Sequence, residues 1–144
     1  MISVSRTIST TTPLDKSWGF LSEFANTEVW DPGTVRCKRI DVGPVDVGAR
    51  YENVSQFKGK ETTLEYAVTT FEPAKHLVLK GENKTVQSID DMSFSGSDTG
   101  TEVRYSAHFT FKGVARLFEP FLRKSIDKLA DEAETGMKKA LDAL

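Results

Sequence analysis

Between about residue 34 and residue 111, apolar or aromatic residues alternate with polar ones, which is typical of β-strands with one buried face. Residues 1–10 show the same alternation and predict a first strand. Between glycine, proline and asparagine turn signals, six further strands are predicted at residues 34–41, 48–57, 60–71, 75–81, 85–95 and 101–111. Their connections are too short for parallel crossovers, so successive strands are expected to pair antiparallel.

Helical spacing replaces this alternation in the segment that follows the first strand. From Pro13 to Phe24, apolar residues recur at three- and four-residue steps, and Thr12 is expected to cap the helix with Pro13 at its first position. The next residues are too interrupted for a long helix. They predict a single helical turn that carries Trp30 inward, as a core residue or as a wall that stacks against a ligand.

A second helix is predicted at the end of the chain. Apolar residues recur at helical spacing from residue 115 to residue 144, with charged residues on the other faces. A helix of this length would cross the whole sheet and cover its apolar face. Proline is not tolerated deep inside a helix, so two alternatives follow for Pro120: the helix begins near it, or a short turn at Val114 to Phe118 precedes the helix and bends away.

Parity along the strands places several polar side chains on the face predicted to be buried. Asn53, Ser88 and Asp90 have this parity, and buried polar groups need hydrogen-bonding partners that a water-filled or ligand-filled cavity would supply. The alternative is a bulge, or the opposite parity, in strands 48–57 and 85–95. The residues predicted to line a ligand cavity between sheet and helix are Trp30, Tyr51, Asn53, Leu64, Tyr66, Leu79, Ser88, Asp90, Met92, Tyr105, Ala107, Phe109, Phe118, Leu122, Ile126 and Met137.

Composition narrows the class of protein. The chain has 144 residues, 38% hydrophobic and 28% charged, which predicts one globular domain over residues 1–144, as a monomer or weak dimer. A net charge of -2 without a basic block makes nucleic acid an unexpected partner. No apolar stretch is long enough to span a bilayer. The N-terminus lacks the apolar run of a secretory signal and Cys37 is the lone cysteine, so a reducing cytoplasm is the expected location.

Few residues of the sequence are candidates for metal binding or catalysis. Two histidines and one cysteine without HxxxH or CxxC spacing predict neither a metal site nor a cofactor. Asp90 and Asp91 would point to opposite faces of a strand, so they cannot act as a pair. Asp90 alone, if it faces inward, is a candidate general base with a raised pKa; the alternative is an exposed side chain at a strand irregularity. The other candidates for proton transfer are Tyr51, Tyr66 and Tyr105.

Several short motifs also occur in a definite order along the chain. They are Pro13 with Trp18, Leu21 and Phe24, then Asn26 with Trp30 and Pro32, Val47-Gly48, Val68 with Phe71-Glu72-Pro73 and Leu77, Gly100-Thr101-Glu102-Val103, and Pro120 with the apolar stripe of the final helix. In their order and spacing they resemble the polyketide cyclase/dehydrase family of the START-like (SRPBCC, helix-grip, Bet v 1-like) superfamily. The resemblance extends over nearly the whole chain.

This resemblance implies a fold and a range of functions. The implied fold is α+β, with a curved seven-stranded antiparallel sheet in the order β-α-α-β6-α around a long C-terminal helix. Its cavity would bind or carry a small, mostly apolar ligand, such as a lipid or a polyketide. The first alternative is a cyclase or dehydratase that folds a poly-β-keto chain in the same cavity, and the second is a protein-interaction module. The superfamily has no shared catalytic motif, so no catalytic residue is implied.

Overall fold

A computed structural model describes residues 1–144 and contains one sheet and three α-helices. The strands are β1 (Ile2–Thr10), β2 (Thr34–Arg39), β3 (Arg50–Phe57), β4 (Lys60–Glu72), β5 (His76–Glu82), β6 (Val86–Ser97) and β7 (Gly100–Phe111). The helices are α1 (Leu14–Leu21), α2 (Thr27–Trp30) and α3 (Glu119–Asp142), with 3-10 helices at Phe24–Asn26 and Gly113–Phe118. All neighbouring strands are antiparallel, in the order β1-β7-β6-β5-β4-β3-β2. The predicted helix-grip fold is confirmed.

The apolar face of the sheet is covered by α3 and the short helices. The side chains that α3 buries include Ile126, Ala133 and Met137 of the predicted stripe, and also Ala130 and Leu141. Burying such a stripe is the main stabilisation of an amphipathic helix, because isolated helices are marginal in water. None of the helices has both the length and the apolarity that crossing a lipid bilayer requires.

The first helix is shorter than predicted, and its cap is different. Pro13 occupies the N-cap position, and α1 ends at Leu21, so that Phe24 begins a separate 3-10 helix. The hydroxyl of Thr12 is not available as a cap because it donates to the carbonyl of Leu141 at 2.6 Å, near the end of α3. The prediction that α2 carries Trp30 inward is confirmed, since only 1% of that residue is exposed.

The two alternatives predicted for the start of the last helix are each correct in part. A 3-10 helix does precede it, and α3 then begins at Glu119 with Pro120 in its first turn. Proline is tolerated there because the first backbone N–H groups of a helix have no intrahelical partner. Three apolar residues of this segment, Val114, Leu117 and Phe121, are more than 70% exposed.

The predicted inward parity of β3 and β6 is correct, and no bulge interrupts the pairing of either strand with β4, β5 or β7. Irregular register occurs elsewhere, between Thr34 and Arg36 in β2 and between Val68 and Thr70 in β4. The polar side chains of β6 therefore point into the interior because of the regular alternation of the strand, and not because of a local defect.

Two glycines within α-helices, Gly136 and Gly19, differ in how much space surrounds them. Gly136 lies where α3 passes α2, and a Cβ atom there would come within 2.1 Å of the carbonyl oxygen of Trp30. Gly19 in α1 has no other heavy atom within 4 Å of its Cβ position. Of these two glycines, only Gly136 lets the backbones of α2 and α3 approach closely, because it has no side chain.

The two outer strands of the sheet are β1 and β2, and side chains form hydrogen bonds with backbone groups of both. A carboxylate oxygen of Glu28 accepts the N–H of Cys37 on β2 at 2.7 Å. On β1, Lys138 donates to the carbonyl of Ser9 at 2.8 Å. Arg6, also on β1, contacts Asp127 at 2.9 Å and Asp131 at 2.8 Å and so ties this strand to α3.

Candidate functional site

A cavity of about 590 Å³ lies between the sheet and the first half of α3. Strands β3, β4, β6 and β7 form its floor, and Leu122, Ile126 and Ala130 of α3 form its roof. Its opening is marked by the exposed side chains of Lys58, Lys60 and, on the 3-10 helix, Phe118. Most of the walls are apolar, so the chamber can enclose an apolar molecule without leaving many polar groups unpaired.

Eleven of the sixteen residues predicted from the sequence line this cavity. They are Asn53, Leu64, Tyr66, Ser88, Asp90, Tyr105, Ala107, Phe109, Phe118, Leu122 and Ile126. Strand parity brings the sheet residues together on one face, and the helical repeat of α3 brings Leu122 and Ile126 opposite them.

Five predicted residues do not line the cavity, and here the prediction is corrected. Trp30, Tyr51, Leu79, Met92 and Met137 are each at most 1% exposed and belong to the packed core. The three on strands, Tyr51, Leu79 and Met92, do face inward, but α1, α2 and the second half of α3 fill the space over that part of the sheet. The Trp30 ring packs edge-on against Tyr105 at 5.7 Å, and the Tyr51 hydroxyl donates to Glu23 at 2.6 Å.

The polar lining residues that the sequence prediction missed include Thr27 and Asp31. Asp31 lies in a Trp-Asp-Pro-Gly turn, where an aspartate is ordinary because its carboxylate accepts nearby backbone N–H groups. One of its oxygens does accept the N–H of Gly33 at 3.0 Å, and the other accepts the hydroxyl of Thr34 at 3.1 Å. Burial nevertheless raises the pKa of Asp31 above its usual value. No sequence signal distinguished it from a surface turn residue.

Asp90 is the central polar group of the cavity. It is 6% exposed, so the alternative that it is a surface residue is wrong. The hydroxyl of Ser88 donates to one carboxylate oxygen at 3.1 Å, and that of Tyr105 donates to the other at 3.4 Å. Burial, and to a smaller extent the charge of Asp31, raises the pKa of Asp90 to about 7 against the opposing effect of the two hydroxyls. Asp90 therefore changes charge near neutral pH.

Two tyrosines flank this carboxyl and remain protonated. Burial, and next the charge of Asp90, raises the pKa of both Tyr66 and Tyr105 well above the ordinary value. The Tyr66 ring lies flat against Gly81, where a Cβ atom would come within 2.6 Å of the ring. Both phenols are hydrogen-bond donors at any pH at which the protein works.

The remaining candidates for chemistry lie outside the lining. Cys37 is buried, and burial raises the pKa of its thiol, so the reactive thiolate is disfavoured. One ring nitrogen of His76 is 2.8 Å from Asp91, and one of His108 is 2.8 Å from the hydroxyl of Ser3. No three His, Cys, Asp or Glu side chains come together as a metal-binding group.

Comparison with known proteins places this chain in a family. The family model described as polyketide cyclase / dehydrase and lipid transport matches residues 1–142. The chain is also similar in structure to the Zhui aromatase/cyclase from Streptomyces sp. R1128, with 13% identity, a TM-score of 0.80, and 97% of this chain and 93% of that chain covered.

Two further structures have similar folds. A START superfamily protein from Mycobacterium smegmatis has 11% identity and a TM-score of 0.81, with 98% of this chain and 97% of that one covered. A protein from Thermus thermophilus has 11% identity and a TM-score of 0.79, covering 99% and 97%. No curated protein sequence matches the chain. The match to the family model nevertheless extends from the first strand to the last turn of α3, and the chain belongs to the polyketide cyclase / dehydrase and lipid transport family.

Proposed function

We propose that this protein binds and carries a small, mostly apolar molecule, such as a lipid or a polyketide, in the cavity between the sheet and α3. The observation that carries the proposal is the unfilled volume of about 590 Å³, which lies in the range of ligand sites, about 300–1,000 Å³. A protein-interaction module would need no such space inside. Leu64, Phe109 and Ile126 would contact the apolar part of the ligand, and the polar group around Asp90 would fix one end.

Binding of an uncharged apolar dye tests this proposal. N-phenyl-1-naphthylamine should bind the native protein with a Kd in the micromolar range, equivalent to about 8 kcal/mol, and its fluorescence should rise. Ala107 lies in the cavity wall, opposite Asp90 on the neighbouring strand. In Ala107→Trp, the indole would occupy the ligand's space, and we expect the affinity for the dye to fall by about tenfold or more.

Ala67→Trp is the matched control for this experiment. Ala67 is on β4 between the buried residues Tyr66 and Val68, so its side chain points to the opposite face of the sheet, and it does not line the cavity. This variant should bind the dye like the parent. A parent that binds no dye, or an Ala107→Trp variant that binds it normally, would contradict the proposal.

A second candidate function is catalysis of cyclase or dehydratase type, and the arrangement at Asp90 favours it. A carboxyl whose pKa is about 7 can accept a proton from a carbon atom between two carbonyl groups. The hydroxyl of Tyr105, or of Tyr66, would then donate a hydrogen bond to the enolate oxygen. Tyr51 is not part of this hypothesis because it lies outside the cavity and donates to Glu23.

Proton exchange measures this activity directly. The parent should accelerate exchange of the C–H protons between the carbonyls of an apolar 1,3-diketone with D₂O, followed by NMR. Removing a general base costs about 10² in rate or more, so Asp90→Asn should lose the acceleration. Asp98→Asn, which changes an exposed aspartate of the β6–β7 turn, should keep it. Equal rates in the parent and Asp90→Asn would exclude Asp90 as the base.

A further inference from the structure

The charged residues of the cavity are divided between its interior and its opening. Among all lining residues, only Asp31, Lys58, Lys60 and Asp90 carry charge. The two lysines are exposed, on and beside the β3–β4 turn, whereas Asp90 is buried and Asp31 is half-buried. No Lys, Arg or His forms an ion pair with either aspartate. The inner end of the cavity therefore has acidic groups and no cation.

The hydrogen-bonding capacity of Asp90 is only partly used. An ionised carboxylate has about four acceptor sites, and the protein supplies two donors, the hydroxyls of Ser88 and Tyr105. The Tyr105 contact is long, at 3.4 Å. A second polar atom of the lining, the side-chain oxygen of Thr27, is buried without an oxygen or nitrogen partner, and the weakly hydrogen-bonding thiol of Cys37 lies beside it. Buried polar groups are normally satisfied, so these free positions indicate a partner from outside the chain.

From this arrangement, and on the basis of the proposed function, we infer that the ligand is an amphipathic amine whose ammonium group points towards Asp90. An ammonium group offers three donors and the charge that the inner end lacks, and charge-assisted hydrogen bonds are about twice as strong as neutral ones. An anionic head group would meet two carboxyls in a low-dielectric site and is excluded from this end. In the reverse orientation, the ammonium would lie beside Lys58 and Lys60.

The titratable groups around Asp90 do not offset this preference. Asp31 adds negative charge, and Tyr66 and Tyr105 stay neutral because burial and the charge of Asp90 raise their pKa values. Asp90 ionises more readily when an ammonium group lies beside it, since an opposite charge favours the charged form of a carboxyl. Ligand binding and ionisation of Asp90 therefore support each other.

Three ligands with the same chain and different head groups test the inference. Dodecylamine, dodecanol and dodecanoate are each used to displace N-phenyl-1-naphthylamine at pH 8, where Asp90 is mostly ionised and the amine is still cationic. The amine should bind about tenfold or more tightly than the alcohol. In Asp90→Asn, this ratio should fall to about threefold or less. Lowering the pH to 5.5 should reduce the ratio more in the parent than in the variant, where Asp31 is the remaining carboxyl of the inner end.

The double variant Lys58→Gln/Lys60→Gln separates two ways in which dodecanoate could bind. A carboxylate held at the opening by the lysines should lose affinity in this variant, in agreement with the inference. The inference is overturned if dodecanoate binds the double variant as tightly as the amine does, or if Asp90→Asn leaves the ratio of amine to alcohol unchanged. Failure of the dye itself to bind the parent would instead overturn the proposed carrier function and, with it, the ligand class.

Discussion

Replacing Gly136 with alanine is expected to lower the free energy of unfolding by about 3 kcal/mol or more. The added methyl group would lie 2.1 Å from the carbonyl oxygen of Trp30 and 3.0 Å from Cδ of Pro32. A backbone oxygen cannot turn away as a flexible side chain can, so α2 and α3 would have to separate. That movement would also disturb the packing of the buried Trp30 ring against Tyr105.

Gly19→Ala is the matched control, because it makes the same substitution in a helix where nothing lies within 4 Å of the new atom. Alanine has the higher helix propensity, so this variant should be more stable than the parent by up to about 1 kcal/mol. Urea denaturation followed by circular dichroism measures both variants. A Gly136→Ala protein as stable as the parent would mean that the two helices are not in close contact in solution.

Asp90→Asn is expected to become increasingly stable relative to the parent as the pH rises. The folded state holds the Asp90 proton up to a pH of about 7, whereas in the unfolded chain the carboxyl ionises near its ordinary pKa of 3.8. Between these two values the folded protein binds more protons, so the parent loses stability as pH increases. The shift of about three units corresponds to roughly 4 kcal/mol above pH 7, which asparagine avoids because it does not ionise.

The measurement is the difference in unfolding free energy between Asp90→Asn and the parent at several pH values from 5 to 9. This difference should grow through pH 7 and then level off. Asp31, whose pKa burial also raises, is present in both proteins, so its own effect largely cancels. Asp98→Asn, at an exposed turn, should differ from the parent by a small and nearly constant amount. Parallel curves for Asp90→Asn and the parent would show that the carboxyl is not buried as described.

The strands were predictable because alternation along a half-buried sheet is strict and turn residues separate the strands. Each strand boundary lies within two residues of its predicted position. The same parity placed Ser88, Asp90 and Tyr105 together on one face. The apolar face that this parity predicts requires an apolar cover, so Ile126 of α3 was expected to pack against it.

Parity could not separate the cavity from the packed core. Leu79 and Met92 face inward just as Leu64 and Ala107 do, and only the position of the covering helices decides which of them meets empty space. Close contacts between helices were also beyond the sequence prediction. Gly136 has no feature that distinguishes it from a glycine on a helix surface until the carbonyl of Trp30 is seen beside it.

The side chains that form hydrogen bonds with backbone groups of the outer strands affect how readily molecules associate at high concentration. Unpaired N–H and C=O groups on an outer strand are a template on which strands of other molecules can assemble into fibres. Glu28 blocks one such position on β2, and Lys138 blocks one on β1. Neither residue lines the cavity, so ligand release would leave both strands protected. We therefore expect these two positions to resist strand addition equally well whether the cavity is full or empty.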